Sequence, residues 1–209
     1  MAATSTKTFQ NDSGEIQLSL TISENMLPKF FNLLQSGFAV KAQTGVSVKA
    51  FLCDQIGLPE AYVDERIQTL FLDSKPVDDA TVVRIHDGSR LALSAAMPGV
   101  AGALFRKGGR YGAMRDSISL KSPSDGSAEV SGRVMVKLFN LVLRELGPVF
   151  LAKGVWLDGM AVQDFFSHLP ESWSANILKV DLNGEEIKAG ELLNQAWSEK
   201  HIFTKVTSA

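Results

Sequence analysis

The sequence predicts an α+β protein built as two tandem copies of one unit, each a mixed sheet with helices packed against it. Three observations predict this. Short motifs recur in the same order in the two halves, the apolar spacing changes between two residues and 3.6 at matching places, and each half closes with a turn signal and a strand. Lys29-Phe30-Phe31-Asn32-Leu33-Leu34 recurs as Lys137-Leu138-Phe139-Asn140-Leu141-Val142. Gly45-Val46 then matches Gly154-Val155, Leu58-Pro59-Glu60 matches Leu169-Pro170-Glu171, and Ile67 with its turn matches Ile177 with its own. A single match of this kind is weak; several in one order, with nearly constant offset, point to duplication.

In the first half, Ile16, Leu18, Leu20 and Ile22 alternate as in a strand with one buried face. Leu27, Phe30, Phe31 and Leu34 follow at the spacing of an amphipathic helix. Residues 38–43 read as extended, and Val48, Phe51 and Leu52 as a second helix closed by Pro59, because proline cannot continue the hydrogen-bond ladder. Thr69-Leu70-Phe71-Leu72-Asp73-Ser74-Lys75 reads as a strand and its turn, and residues 90–95 as the closing strand after Asp87-Gly88.

In the second half, Met135, Leu138, Phe139, Val142 and Leu146 repeat the helical spacing. Residues 149–157 read as extended, and Val162, Phe165, Phe166 and Leu169 as a helix closed by Pro170. Leu178 to Gly184 forms a strand with an Asn-Gly turn, where the glycine supplies a positive φ, and residues 201–207 form the last strand. Residues 122–131, rich in serine and glycine, read as a loop. The expected organisation is a loose arm at 1–14, a first unit at 15–103, a glycine-rich basic connection at 104–116 and a second unit at 117–209.

The chain has 209 residues, 45% hydrophobic and 21% charged, with a formal net charge of −2. That composition is ordinary for a globular protein, and no global basic field points to nucleic acid. No apolar run approaches the roughly 18–20 residues that span a bilayer, and the polar N-terminus lacks a signal-peptide core. A cytoplasmic protein without a membrane partner is therefore expected. One cysteine, Cys53, excludes an intrachain disulfide and a multi-cysteine zinc site.

Four segments carry a resemblance to a known family. They are Gly45-Val46-Ser47-Val48-Lys49-Ala50-Phe51-Leu52, Leu70-Phe71-Leu72-Asp73-Ser74-Lys75-Pro76-Val77, Asp87-Gly88-Ser89-Arg90-Leu91-Ala92-Leu93 and Met97-Pro98-Gly99-Val100-Ala101-Gly102-Ala103. Together they resemble the ubiquitin-like sulfur carriers of molybdopterin and thiamine synthesis, which have the β-grasp fold. The resemblance implies two tandem β-grasp units. Val136-Lys137-Leu138-Phe139 with Arg144-Glu145-Leu146-Gly147 is similar to that family's opening strand, so residues 134–147 carry two readings, strand and helix. In such carriers a C-terminal Gly-Gly carboxylate is activated by an adenylating enzyme. Here Gly102 is followed by Ala103, and the second half ends in Ser208-Ala209 with no Gly-Gly. An internal Gly-Gly cannot react without cleavage.

The tail-like segment is Met97, Pro98, Gly99, Gly102, Gly108 and Gly109, read either as a glycine-rich crossing between halves or as a processing site after Gly102 or Gly109. Arg106, Lys107, Arg110 and Arg115, with Tyr111, form a local basic cluster suited to an anion or a partner's acids; nucleic acid is disfavoured without a basic domain around it. Cys53 reads as a small hydrophobe, and His86, His168 and His201 as structural or exposed. Trp156, Trp173 and Trp197 are assigned to the core of the second half or to an interface. No metal, cofactor or catalytic constellation is expected. The expected function is a non-catalytic protein-interaction or assembly module, homo-oligomeric through sheet edges. The alternative is a modifier precursor that meets an adenylating enzyme after processing.

Overall fold

The computed structural model describes residues 15–96, 99–107, 109, 120, 130–197 and 201–209. The protein is α+β, with one ten-stranded mixed sheet. In chain order the first half runs β1 (Ile16–Ile22), α1 (Leu27–Ser36), β2 (Phe38–Gln43) and α2 (Val48–Ala50), which continues as a π-helical turn (Phe51–Gln55). A second π-helical turn (Tyr62–Arg66) precedes β3 (Thr69–Leu72), β4 (Lys75–Pro76) and β5 (Arg90–Ser94). After α3 (Gly99–Phe105), the second half runs β6 (Ser131–Phe139), α4 (Asn140–Lys153), β7 (Val155–Asp158), α5 (Gly159–Ser167), β8 (Ile177–Leu182), β9 (Glu185–Ile187) and β10 (His201–Ser208).

The strand order is β4-β3-β5-β6-β2-β7-β10-β1-β8-β9. The first strand of each half is thus exchanged. β6 lies between β5 and β2, parallel to β5 and antiparallel to β2. β1 lies between β10 and β8, parallel to β10 and antiparallel to β8. The two halves share one hydrophobic core that includes Phe30, Phe38, Phe150, Phe166 and Trp197, each at most 2% exposed. Phe38 and Phe150, one from each half, meet edge-on at 5.0 Å between ring centroids.

The strand alternation expected from sequence fills this core: Leu18, Leu20 and Ile22 of β1 and Val134, Val136 and Leu138 of β6 all point into it. Helix α1 buries Phe30, Leu33 and Leu34. It packs against α4 at Gly147, where a Cβ would lie 2.9 Å from the Phe31 ring; only a glycine lets the two helices approach so closely.

Both readings of residues 134–147 are partly right. β6 runs to Phe139, and Asn140, at φ +54°, breaks directly into α4. The extended segment expected at 149–157 is corrected to Val155–Asp158, because α4 continues through Pro148 to Lys153. An internal proline costs a helix about 3 kcal/mol. Burial of Phe150 and Leu151, beyond that proline, returns about 1.5–3 kcal/mol for each side chain and offsets it. Trp173 and Trp197 enter the core as expected, the latter donating its indole N–H to the Leu192 carbonyl at 2.9 Å.

Candidate functional site

The tail-like segment of the first half is folded back, not extended. Met97, Pro98 and Gly108 lie outside the described residues. Gly99 opens α3 with φ +73°, and Gly102 is buried within that helix. Phe105 packs on Phe71 at 5.2 Å. The Lys107 backbone N–H donates to Gln68 O at 2.7 Å, and its Nζ donates to the Val63 carbonyl at 2.9 Å. Half-burial of this ammonium pulls its pKa below the usual lysine value. Gly109 closes a turn by donating to Arg106 O at 3.0 Å.

Of the predicted basic cluster, Arg106 and Lys107 fall among the described residues. Arg106 is exposed, Lys107 is turned towards the first half, and Arg110 and Arg115 lie outside the described residues.

Two polar groups tie the halves together. Glu145 of α4 accepts from Tyr62 Oη at 2.7 Å and from Arg66 through Nε (3.0 Å) and the adjacent NH2. The guanidinium, then the phenol, hold the Glu145 carboxyl down at about 2, and burial with this contact pushes the Tyr62 phenol up. Asp87 accepts from the Arg133 backbone N–H at 2.8 Å, clamping the last turn of the first half to the first strand of the second.

His86 has both ring nitrogens engaged, with Asp73 Oδ2 at 3.1 Å and the Asp87 carbonyl at 3.0 Å, and His168 caps the exposed end of α5 beside Asp164. Cys53 packs against the core, and desolvation there pushes its thiol up, which suits an inert side chain better than a nucleophile. Among the described residues no three His, Cys, Asp or Glu side chains gather closely enough to hold a metal ion. No helix among them is long and apolar enough to cross a membrane.

The remaining feature lies on the sheet face opposite the core. Opposed residues in a ladder point to the same side. The register therefore aligns Arg90, Met135, Ala39, Trp156, Phe203 and Gln17 across β5, β6, β2, β7, β10 and β1. Arg133 with Lys41, Lys137, and Lys205 stand on the same face. At its centre the Arg133 guanidinium sits 4.6 Å over the Trp156 ring, and Phe203 packs on that ring at 4.6 Å. Gly154, at φ +96°, leaves the space that the Phe203 ring occupies; a Cβ would collide with it.

Every acid that this register places on the face is engaged. Asp158 caps α5 through Met160 N and Ala161 N, Asp181 accepts from Gly184 N at 3.0 Å, and Glu186 pairs with Lys179 at 3.3 Å. Glu15, just ahead of β1, pairs with Arg133. Lys41, Lys137 and Lys205 are exposed, and no ion pair joins any of them to an acid among the described residues. A chain with 21 Lys and Arg against 23 Asp and Glu thus carries a locally basic face. Sequence reading missed these lysines. Each occupies the solvent phase of an alternating strand, but nothing local says that three separate strands meet.

The sheet edges are blunted. β4 is two residues long, ends in Pro76 and is bridged beyond it by Val77 to Leu120, and β9 presents Glu185 and Glu186. No protein-family model matches the chain, and no curated protein or solved structure matches it either.

Proposed function

We propose that the chain is a non-catalytic protein-interaction module built from two β-grasp-like units, and that the basic sheet face is where it binds. The observation that carries this reading is the set of exposed lysines flanking the Trp156–Phe203 pair, unpaired among the described residues, on a face whose described acids are all engaged. Charge left unpaired on an ordered strand face is available to steer and hold a partner. The β-grasp reading rests on the resembling segments and on the parallel pair β5–β6, flanked by the antiparallel neighbours β3 and β2.

Crosslinking of the full-length chain in its native cells, read by mass spectrometry, tests this. Protein–protein crosslinks are expected at Lys41, Lys137 and Lys205. Recovery of a fragment ending at Gly102 or Gly109 in place of the full chain, or crosslinks confined to the helical side, overturns it.

A further inference from the structure

We infer that the partner segment taken by this face is acidic and extended, lying across β6, β2, β7 and β10. The inference deepens the interaction-module reading and rests on it. Lys41 and Lys205 stand on strands separated only by β7, so two strand spacings of about 4.8 Å put their attachment points about 10 Å apart. Lys137 lies four residues along β6 from Arg133, the partner of Lys41 in the ladder, or about 13 Å at strand rise. Carboxylates on alternate residues of an extended chain repeat at about 7 Å, so a segment of about six to eight residues reaches all three ammonium groups. Long lysine stems take up the difference between the two spacings.

Charge alone also fits single-stranded nucleic acid, but stacking decides against it. Base platforms need open aromatic planes in succession. Trp156 is covered by Arg133 and packed by Phe203, and Phe71 is covered by Phe105. Phe139, 42% exposed at the end of β6, is the one well-exposed aromatic among the described residues. A membrane surface fits less well, since Phe139 is the one large exposed apolar side chain that the register sets on this face among the described residues, and Val82, Val100, Leu141, Met160, Leu178 and Leu193 belong to other segments.

The test is fluorescence anisotropy of the full chain with three labelled probes: a peptide of alternating Glu and Ser, oligo-dT, and single-stranded poly-U RNA of matched charge. The peptide should bind, and raising the salt should weaken it steeply. The double reversal Lys41→Glu with Lys205→Glu should weaken it at least tenfold. Lys29→Glu with Lys153→Glu changes net charge equally, but on α1 and α4, and should leave binding within about twofold. Lys41→Ala with Lys205→Ala guards against misfolding of the reversal variant and should show an intermediate loss.

Equal loss from both reversal pairs, tighter binding of either nucleic acid, or no peptide binding at low salt overturns the acidic partner. Cellular crosslinks then separate the two readings. If they still map to Lys41, Lys137 and Lys205, the interaction face stands with a different partner; if they do not, both readings fall.

Discussion

Separating the two halves should abolish the folding of each, and mixing them should restore it. The reason lies in the exchanged first strands. The second half's sheet contains β1, whose Leu18, Leu20 and Ile22 are at most 2% exposed. Burying three such side chains is worth about 1.5–3 kcal/mol each, or about 5–9 kcal/mol together. That is comparable to the whole stability of an ordinary domain, about 5–15 kcal/mol. The first half loses Val134, Val136 and Leu138 of β6 in the same way, all fully buried. Without them β5 and β2 are left as open edges. Residues 1–116 and 117–209, expressed separately, should show no cooperative thermal transition by circular dichroism. An equimolar mixture should recover one, with a concentration-dependent midpoint. A cooperative melt from either half alone refutes the reasoning, because it would mean that the half closes its sheet without the strand it borrows.

Three further outcomes follow from the packing. Gly147→Ala should destabilise the protein by about 1–3 kcal/mol in a urea titration, since the new methyl meets the Phe31 ring; a neutral result would mean that α1 moves freely. Glu145 has a folded-state pKa of about 2, below the ordinary glutamate value of about 4.3, so its contribution is present above pH 4.3 and lost as pH falls towards 2. The stability difference between the wild type and Glu145→Gln, read by denaturant melts, should therefore shrink across that window and stay flat above pH 5. Phe105→Ala should loosen α3 from β3 and speed tryptic cleavage after Arg106 and Lys107, whose backbone the Phe105–Phe71 contact and the Lys107–Val63 bond hold in place in the folded chain; an unchanged cleavage rate would show that neither contact anchors the segment.

The elements themselves were largely legible. Period-two and helical spacing placed β1, α1, β2, β3, β5, α5 and β10 within a few residues, because each buries one face and its pattern records that face. Two local features misled. Residues 149–157 read as extended, yet α4 runs on through Pro148 to Lys153 because the apolar contacts beyond the proline outweigh its cost. The stretch after Ala95 reads as a thin tail because glycines punctuate it, yet Gly99–Phe105 forms a short helix whose Phe105 packs on Phe71 of β3. The strand exchange was not legible at all. Val134, Val136 and Leu138 need an apolar surface on one side and a ladder on both edges, and either half of the chain supplies those equally well to a local reading. The basic face was hidden for the same reason, since Lys41, Lys137 and Lys205 become neighbours only once β6 stands beside β2 and β10 beside β7.

That face also spans the weakest ladder in the sheet. β2 and β7, the strands that join the two groups of five, are matched at one residue pair, Ala39 with Trp156. β6 with β2 is matched at six pairs and β10 with β7 at four. The halves are thus held at the seam less by backbone hydrogen bonds than by the shared core beneath it, by the Glu145 group and by the exchanged strands. Above the seam, the Arg133 guanidinium of β6 reaches over β2 to the Trp156 ring of β7, and bonds Glu15 ahead of β1. A segment docked between Lys137 and Lys205 crosses the same line from the same side. It would bind only while both halves are folded and correctly joined, so its binding energy would add directly to the association of the halves. The chain therefore places these three lysines, unpaired among the described residues, where occupation reports on, and reinforces, the joint that its topology leaves thinnest.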